Sequence, residues 1–139
     1  MLVSEIMHKP TFVDPRATVT DAARIMCEKN IASVIVGSAT NPMGIFTERD
    51  VIRKVIVKNL DPRITLIKNV MHPEVITINE GAPIQEASRL LRAYYIRHLP
   101  VSDDSGKIIG MLSARTVMDG LKYAYVSRLF RRSIRRPLF

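Results

Sequence analysis

The chain repeats itself, and that repeat limits its fold more than any other feature. The stretch SEIMHKPTFVDPRATVTDAARIMCEKNIASVIV, beginning at Ser4, lies over KNVMHPEVITINEGAPIQEASRLLRAYYIRHLPV, beginning at Lys68. Ile6-Met7-His8 falls on Val70-Met71-His72, Ala22 on Ala87, Arg24 on Arg89, Val36 on Val101 and Gly44 on Gly110, while the offset moves only from 64 to 66. A fixed period of this length marks two copies of one supersecondary unit. A unit of about sixty residues is marginal alone, so the copies are expected to pack face to face.

Each copy has the same order of elements. An extended segment opens it, Thr11-Phe12-Val13 or Val75-Ile76-Thr77-Ile78. A helix follows, because Val19, Ala22, Ala23 and Met26 form one apolar stripe, repeated by Ile84, Ala87, Ser88 and Leu91. Thr18-x-x-Asp21 can cap the first helix, and Gly81 and Pro83 mark the start of the second. Two β-rich runs come next, Ser33 to Val36 and Met43 to Phe46, matched by Leu99 to Ser102 and Ile108 to Leu112. Pro100 cannot donate to a ladder, so its strand is expected at an edge, or to meet a ligand or bulge there. A closing helix carries Val51, Ile52 and Val55 in one copy and Val117, Leu121 and Ala124 in the other. The fold class that follows is α+β: two β-α-β-β-α repeats packed as a pseudo-symmetric pair. Its boundaries are residues 1–60 for the first repeat, 61–66 for a linker, 67–124 for the second and 125–139 for a basic tail.

At 139 residues, 47% apolar and 24% charged, the chain has the composition of a soluble globular domain. It lacks the run of about eighteen apolar residues that a membrane span requires. Its first residues lack a charged-then-apolar leader, and one cysteine cannot staple a fold; both point to a cytoplasmic setting. Cys27, within a helical pattern and without a paired base, is expected to be a packed hydrophobe. His8 and His72 sit at matching positions with no accompanying ligand spacing, so no metal site is expected. No nucleophile, base and orienting group converge, which argues against an enzyme, and no cofactor is implied.

The heptapeptide Gly44-Ile45-Phe46-Thr47-Glu48-Arg49-Asp50 begins as a strand and ends as a helix start. Thr47-x-x-Asp50 fits a capping box, worth on the order of 1 kcal/mol. The same geometry suits a ligand, since a helix start offers free N–H groups to phosphate and a carboxylate accepts the hydroxyl protons of a ribose. Gly44 permits close backbone approach where a side chain would obstruct. The second copy, Gly110-Met111-Leu112-Ser113-Ala114-Arg115-Thr116, keeps the hydroxyl but replaces the carboxylate with Thr116.

These twinned segments, with Arg97-His98-Leu99-Pro100-Val101, resemble the cystathionine-β-synthase (CBS) domain pair, or Bateman module, from about Val3 to Tyr123. The resemblance implies a non-catalytic, ligand-sensing regulatory module, with adenine nucleotides the commonest occupants: AMP first, ATP, ADP or an S-adenosyl compound next. It also implies a homodimer, a disc of four repeats. Carried over by position, the better nucleotide site combines Thr47 and Asp50 with Ile76 and Thr77, with Arg97, His98 and Arg115 near phosphate. A second, weaker site would use Phe12, Ser33, Arg49, Ser113 and Thr116. The two sites are therefore expected to be unequal. No effector domain accompanies the pair in this sequence, so its signal is expected to reach a separate partner or to pass through the tail.

The net charge of +8 is concentrated at one end. Lys122, Arg128, Arg131, Arg132, Arg135 and Arg136 follow Leu121 with no acidic residue, and the remainder is nearly balanced. Three roles for this Lys122–Arg136 region compete: a helix swapped between subunits, a nucleic-acid patch, and a surface for anionic lipid or a partner protein. The nucleic-acid reading, with the repeats as a dimer scaffold, is the main alternative function.

Overall fold

The computed structural model describes residues 1–134; residues 135–139, which include Arg135, Arg136, Pro137 and Leu138 of the basic tail, lie outside the described residues. Two three-stranded sheets form, one per repeat. In the first, β1 (Phe12–Val13) runs parallel to β2 (Ser33–Gly37), which pairs antiparallel with β3 (Pro42–Thr47). Helix α1 (Val19–Lys29) links β1 to β2, and its start is closed by Thr18 and Asp21, each side chain accepting the other's backbone N–H at 3.1 Å. After β3 come a short α2 (Glu48–Asp50) and a π-helical stretch, Val51–Ile56. The second repeat has the same order: β4 (Ile78–Asn79), α3 (Ile84–Ala93), β5 (His98–Ser102), β6 (Ile108–Ser113) and α4 (Ala114–Ile134).

The pairing registers superpose through the repeat. Val36 faces Gly44 in one sheet and Val101 faces Gly110 in the other, and each ladder slips directly afterwards. One difference separates them. In the first sheet the Ile35 N–H donates to the Thr11 carbonyl at 2.8 Å. The equivalent position in the second is Pro100, which has no N–H to give to Ile76. The β4 pairing accordingly begins only at Ile78, beyond the segment expected to be extended. Pro100 thus sits in a central strand, not at an edge, and shortens its neighbour instead.

Packing does not follow chain order. The lead-in to repeat one crosses to repeat two: Val3 donates to Ala82 at 2.9 Å, His8 and Met111 exchange backbone bonds at 2.9 Å, and Val3 is fully buried with Leu99, Val101 and Leu112. The lead-in to repeat two crosses back. Ile67 and Val70 join Val34, Phe46 and Val55 in the first core, and Ile45 and His72 exchange bonds at 2.9 and 2.8 Å. These crossings explain the paired glycines. A Cβ on Gly44 would lie 2.6 Å from the His72 carbonyl oxygen, and one on Gly110 would lie 2.5 Å from the Met7 sulfur. The close approach that Gly44 permits is made by the chain's own Met71 and His72. Each exchanged core side chain, Val3 or Ile67, contributes about 1.5–3 kcal/mol by burial, so neither half closes its core alone.

A third cluster, Ile35, Ile108 and Met111 with Phe12 and Ile45 against it, forms the seam between the sheets. Cys27 is exposed, because the inward stripe of α1 is Val19, Ala22 and Met26. Helix α4 continues without a break through residue 125, where the tail was expected to start, as far as Ile134. No helix among the described residues is long and apolar enough to cross a membrane.

Candidate functional site

A cavity of about 270 Å³ opens between the repeats. The turn from β3 into α2 supplies Ile45, Thr47, Glu48, Arg49, Asp50 and Arg53; the crossing lead-in supplies His72, Glu74 and Ile76; the end of α3 and start of β5 supply Tyr94 to His98. The repeats meet here because the lead-in of the second crosses β3 of the first.

Thr47 and Asp50 form the expected capping box. The Thr47 N–H donates to Asp50 Oδ2 at 2.9 Å, the Thr47 hydroxyl donates to the same oxygen at 3.2 Å, and the Asp50 N–H donates to Thr47 Oγ1 at 3.4 Å. Lys54 Nζ lies 3.5 Å from the other oxygen, Oδ1. The carboxylate therefore caps the helix through one oxygen while its second meets only Lys54, one turn further along the chain. An ionised carboxylate has about four acceptor positions, so acceptor capacity remains toward the cavity. Cap and ligand group are compatible roles for one residue.

Ile76 brings an acceptor of another kind. With Pro100 where a donor would stand, its carbonyl lacks the bond that Thr11 receives in the first repeat. Arg97 is exposed at the rim and its own carbonyl accepts from the Ala114 N–H at 2.8 Å, which fixes the backbone there. His98 is half-buried. Burial lowers its pKa from the usual imidazole value, with Glu48 opposing the shift and Arg97 adding to it. The unliganded ring is thus held toward its neutral form, ready to gain a proton beside an anion.

Of the residues assigned to the better site, Thr47, Asp50, Ile76, Arg97 and His98 meet in this cavity. Thr77 is exposed and Arg115 lies outside the lining. Arg49, placed by sequence in the other cleft, lines this one. The reason is local: a motif's arginine stays on the same turn as its own Thr and Asp. Sequence reasoning missed Glu48, Arg53, His72, Glu74, Tyr94 and Tyr95. A rule that the cleft follows the crossing lead-in would have found His72 and Glu74.

The residues assigned to the second cleft are arranged differently. Ser113 caps α4, its Oγ accepting from the Thr116 N–H at 3.1 Å; the two hydroxyls lie 2.9 Å apart, and His8 Nε2 is 3.1 Å from the Thr116 hydroxyl. Phe12 packs on the seam and Ser33 is buried opposite Thr47. Ala32 and Ser33 replace Arg97 and His98, and Asp119 stands where the first cleft has Arg53. Among the described residues, no group of three or more metal-ligating side chains comes together.

Tyr95 ends α3 with φ of 53°, as Asn30 ends α1 with φ of 51°. Both turns are closed by the following residue, Ile96 to the Leu91 carbonyl at 3.1 Å and Ile31 to the Met26 carbonyl at 3.0 Å. Asparagine adopts this left-handed conformation readily; for other side chains it costs about 1–2 kcal/mol.

Comparison with known proteins agrees with this architecture. The family model of the CBS domain matches residues 3–57 and 67–123. An uncharacterized protein of Methanopyrus kandleri is 36% identical over 118 residues, covering 84% of this chain and 60% of its own length. The chain spans about three fifths of the length of curated relatives such as this one. A protein with CBS domains from Burkholderia ambifaria superposes with a TM-score of 0.80 at 28% identity, covering 87% of this chain and 93% of its own. A CBS domain protein from Pyrobaculum aerophilum, solved in complex with AMP, has a TM-score of 0.74 at 23% identity, covering 84% and 89%. At that identity the likeness is one of fold.

Proposed function

The chain belongs to the CBS-domain family as a tandem pair, and from that premise we propose that it is a regulatory module binding an adenine nucleotide between its repeats. One observation carries the reading. A single cavity joins a carboxylate with spare acceptor capacity, a carbonyl deprived of its ladder donor, and a set of cations. Those features match the three parts of AMP. Asp50 accepts from the ribose hydroxyls. The Ile76 carbonyl accepts from the exocyclic amine of adenine. Arg49, Arg53 and Arg97, with His98 as it gains a proton, face the phosphate, where guanidinium forks match the oxygen geometry. The Pyrobaculum relative's complex with AMP supports the choice of nucleotide.

Occupancy would be transmitted by the crossing lead-in, since His72 and Glu74 border the cavity while Ile67 and Val70 sit in the opposite core. A coupling of about 1–3 kcal/mol between cleft and partner surface is enough for a graded switch. The exposed Ile52, Ile56 and Val57 of repeat one and Met118 and Tyr125 of α4 offer apolar surface for a second copy or an effector protein. Titration calorimetry of the intact protein tests the reading. One AMP per chain, with ADP, ATP and S-adenosylmethionine in competition, is expected; no heat from any adenine compound overturns it.

A further inference from the structure

The geometry points to Tyr95 as an aromatic platform for the nucleotide's base, the residue that makes the cleft select a nucleotide over a plain sugar phosphate. This inference rests on the nucleotide reading above and adds a specificity determinant to it.

Three non-glycine residues adopt positive φ among the described residues: Asn30, Asn59 and Tyr95. Two are asparagines, the side chain that this conformation tolerates. Tyr95 is the exception, and no side-chain packing offsets its cost, because the residue is 95% exposed. The turn closes α3, but Asn30 closes α1 with the same turn and no ring, so the exposed ring adds nothing to the fold of the free protein. Residues held this way persist where a site uses them.

What the ring could serve is set by its position. Tyr95 lines the cavity beside Tyr94 and Ile96, with Ile45 and Ile76 also on its walls. Together with the unpaired Ile76 carbonyl, these side chains give the cavity apolar lining and one free acceptor beside its charged groups. A flat heteroaromatic ring with an N–H donor on its edge suits that surrounding; a phosphate or a bare sugar does not. Ring-on-ring stacking also suits a rim residue, since it covers the open face of a base whose other face lies on aliphatic side chains. The repeat supplies the control. At the equivalent end of α1, Asn30 makes the same turn without a ring.

The test uses Tyr95→Asn, the residue of the other repeat, and Tyr95→Phe, with AMP and ribose 5-phosphate as probes in calorimetry and melting curves. Tyr95→Asn relieves the backbone and should raise the melting temperature by about 2–6 °C. It should weaken AMP about tenfold, the scale of one base stacked on one aromatic ring, and leave ribose 5-phosphate unchanged. Tyr95→Phe should keep wild-type affinity for both. Unchanged AMP affinity in Tyr95→Asn, or equal loss for both probes, overturns the platform and leaves the nucleotide reading standing. A shift in oligomeric state with AMP affinity intact assigns the ring to a subunit contact and overturns it too. A wild-type protein that binds no AMP removes both.

Discussion

The two clefts are built by the same turn, yet their polar groups are spent in opposite ways. In the first, Asp50 caps through one oxygen and retains acceptor capacity, and the carbonyl of Ile76 has lost its donor to Pro100. In the second, Thr116 hydroxyl meets both Ser113 and His8, and the Thr11 carbonyl is taken by the Ile35 N–H. The cation sets diverge as well: Arg53, Arg97 and His98 on one side, Asp119, Ala32 and Ser33 on the other. Duplicated folds therefore become unequal through satisfaction. A cleft whose hydrogen-bonding groups are met internally has little to offer a ligand, whereas one with unmet groups gains by filling.

The sharpest way to break this comparison is to remove the carboxylate. Asp50→Ala should weaken AMP by about 10- to 100-fold, the loss of hydrogen bonds to a charged group. It should also cost on the order of 1 kcal/mol of stability through the lost cap. Thr116→Ala should leave AMP binding unchanged while lowering stability slightly, because its hydroxyl links only Ser113 and His8. Calorimetry and urea unfolding on both variants separate the effects. Equal losses of affinity would make the two clefts equivalent and defeat the assignment.

A smaller effect is expected from giving repeat two the residue of repeat one. Pro100→Ile restores the N–H that Ile35 uses in the first sheet, so the Ile76 carbonyl regains a ladder partner and β4 extends toward Thr77. Affinity for AMP should fall by about three- to tenfold as that acceptor is withdrawn. Stability should change little, because the gained bond of about 0.5–1.5 kcal/mol is offset by the looser unfolded chain of about 0.4–1 kcal/mol. Amide exchange at residue 100 reports whether the bond has formed. A protected amide with unaltered AMP affinity would show that the free carbonyl plays no part in the site.

These differences also mark how far the sequence could be read. The repeat, the helix stripes and the Thr47–Asp50 box were legible because each is a local pattern with its own period or spacing. The crossing of the two lead-ins was not. Val3 and Ile67 fit either repeat's core equally well, and only the three-dimensional path decides which they enter. Gly44 and Gly110 were visible as a pair, but the partners that require them, Met71 and Met7, lie beyond any local window. The motif arginines follow a local rule instead: Arg49 lines the cavity beside its own Thr47 and Asp50, and Arg115, on the matching turn, lies outside that lining. Pro100 was recognised as a missing donor, yet its consequence falls on Ile76, which no spacing rule connects to it. Tyr95 carries no sequence signal of a left-handed backbone, since its twin Asn30 does so with a residue suited to it.

The last difference is one of charge, and His98 tests it. Burial holds the free ring below its usual pKa, whereas Ser33 at the matching position of repeat one cannot titrate. A bound phosphate favours the charged ring, so its pKa is higher with AMP than without. Between those two values binding takes up a proton, and AMP affinity should rise as pH falls from 8 to 6, by a few-fold relative to His98→Ser. That variant also removes the contribution of AMP's own phosphate, which titrates equally in both proteins. Stability of the free protein should move the other way. Below about 6.5 the unfolded chain gains a proton that the folded ring resists, so stability falls with pH until the folded ring is also protonated. Taken as wild type minus His98→Ser, the affinity and stability contributions of His98 are expected to have opposite pH slopes. Parallel slopes of those differences, or a wild-type affinity profile that matches His98→Ser at every pH, would place the phosphate away from His98 and leave the arginines to hold it.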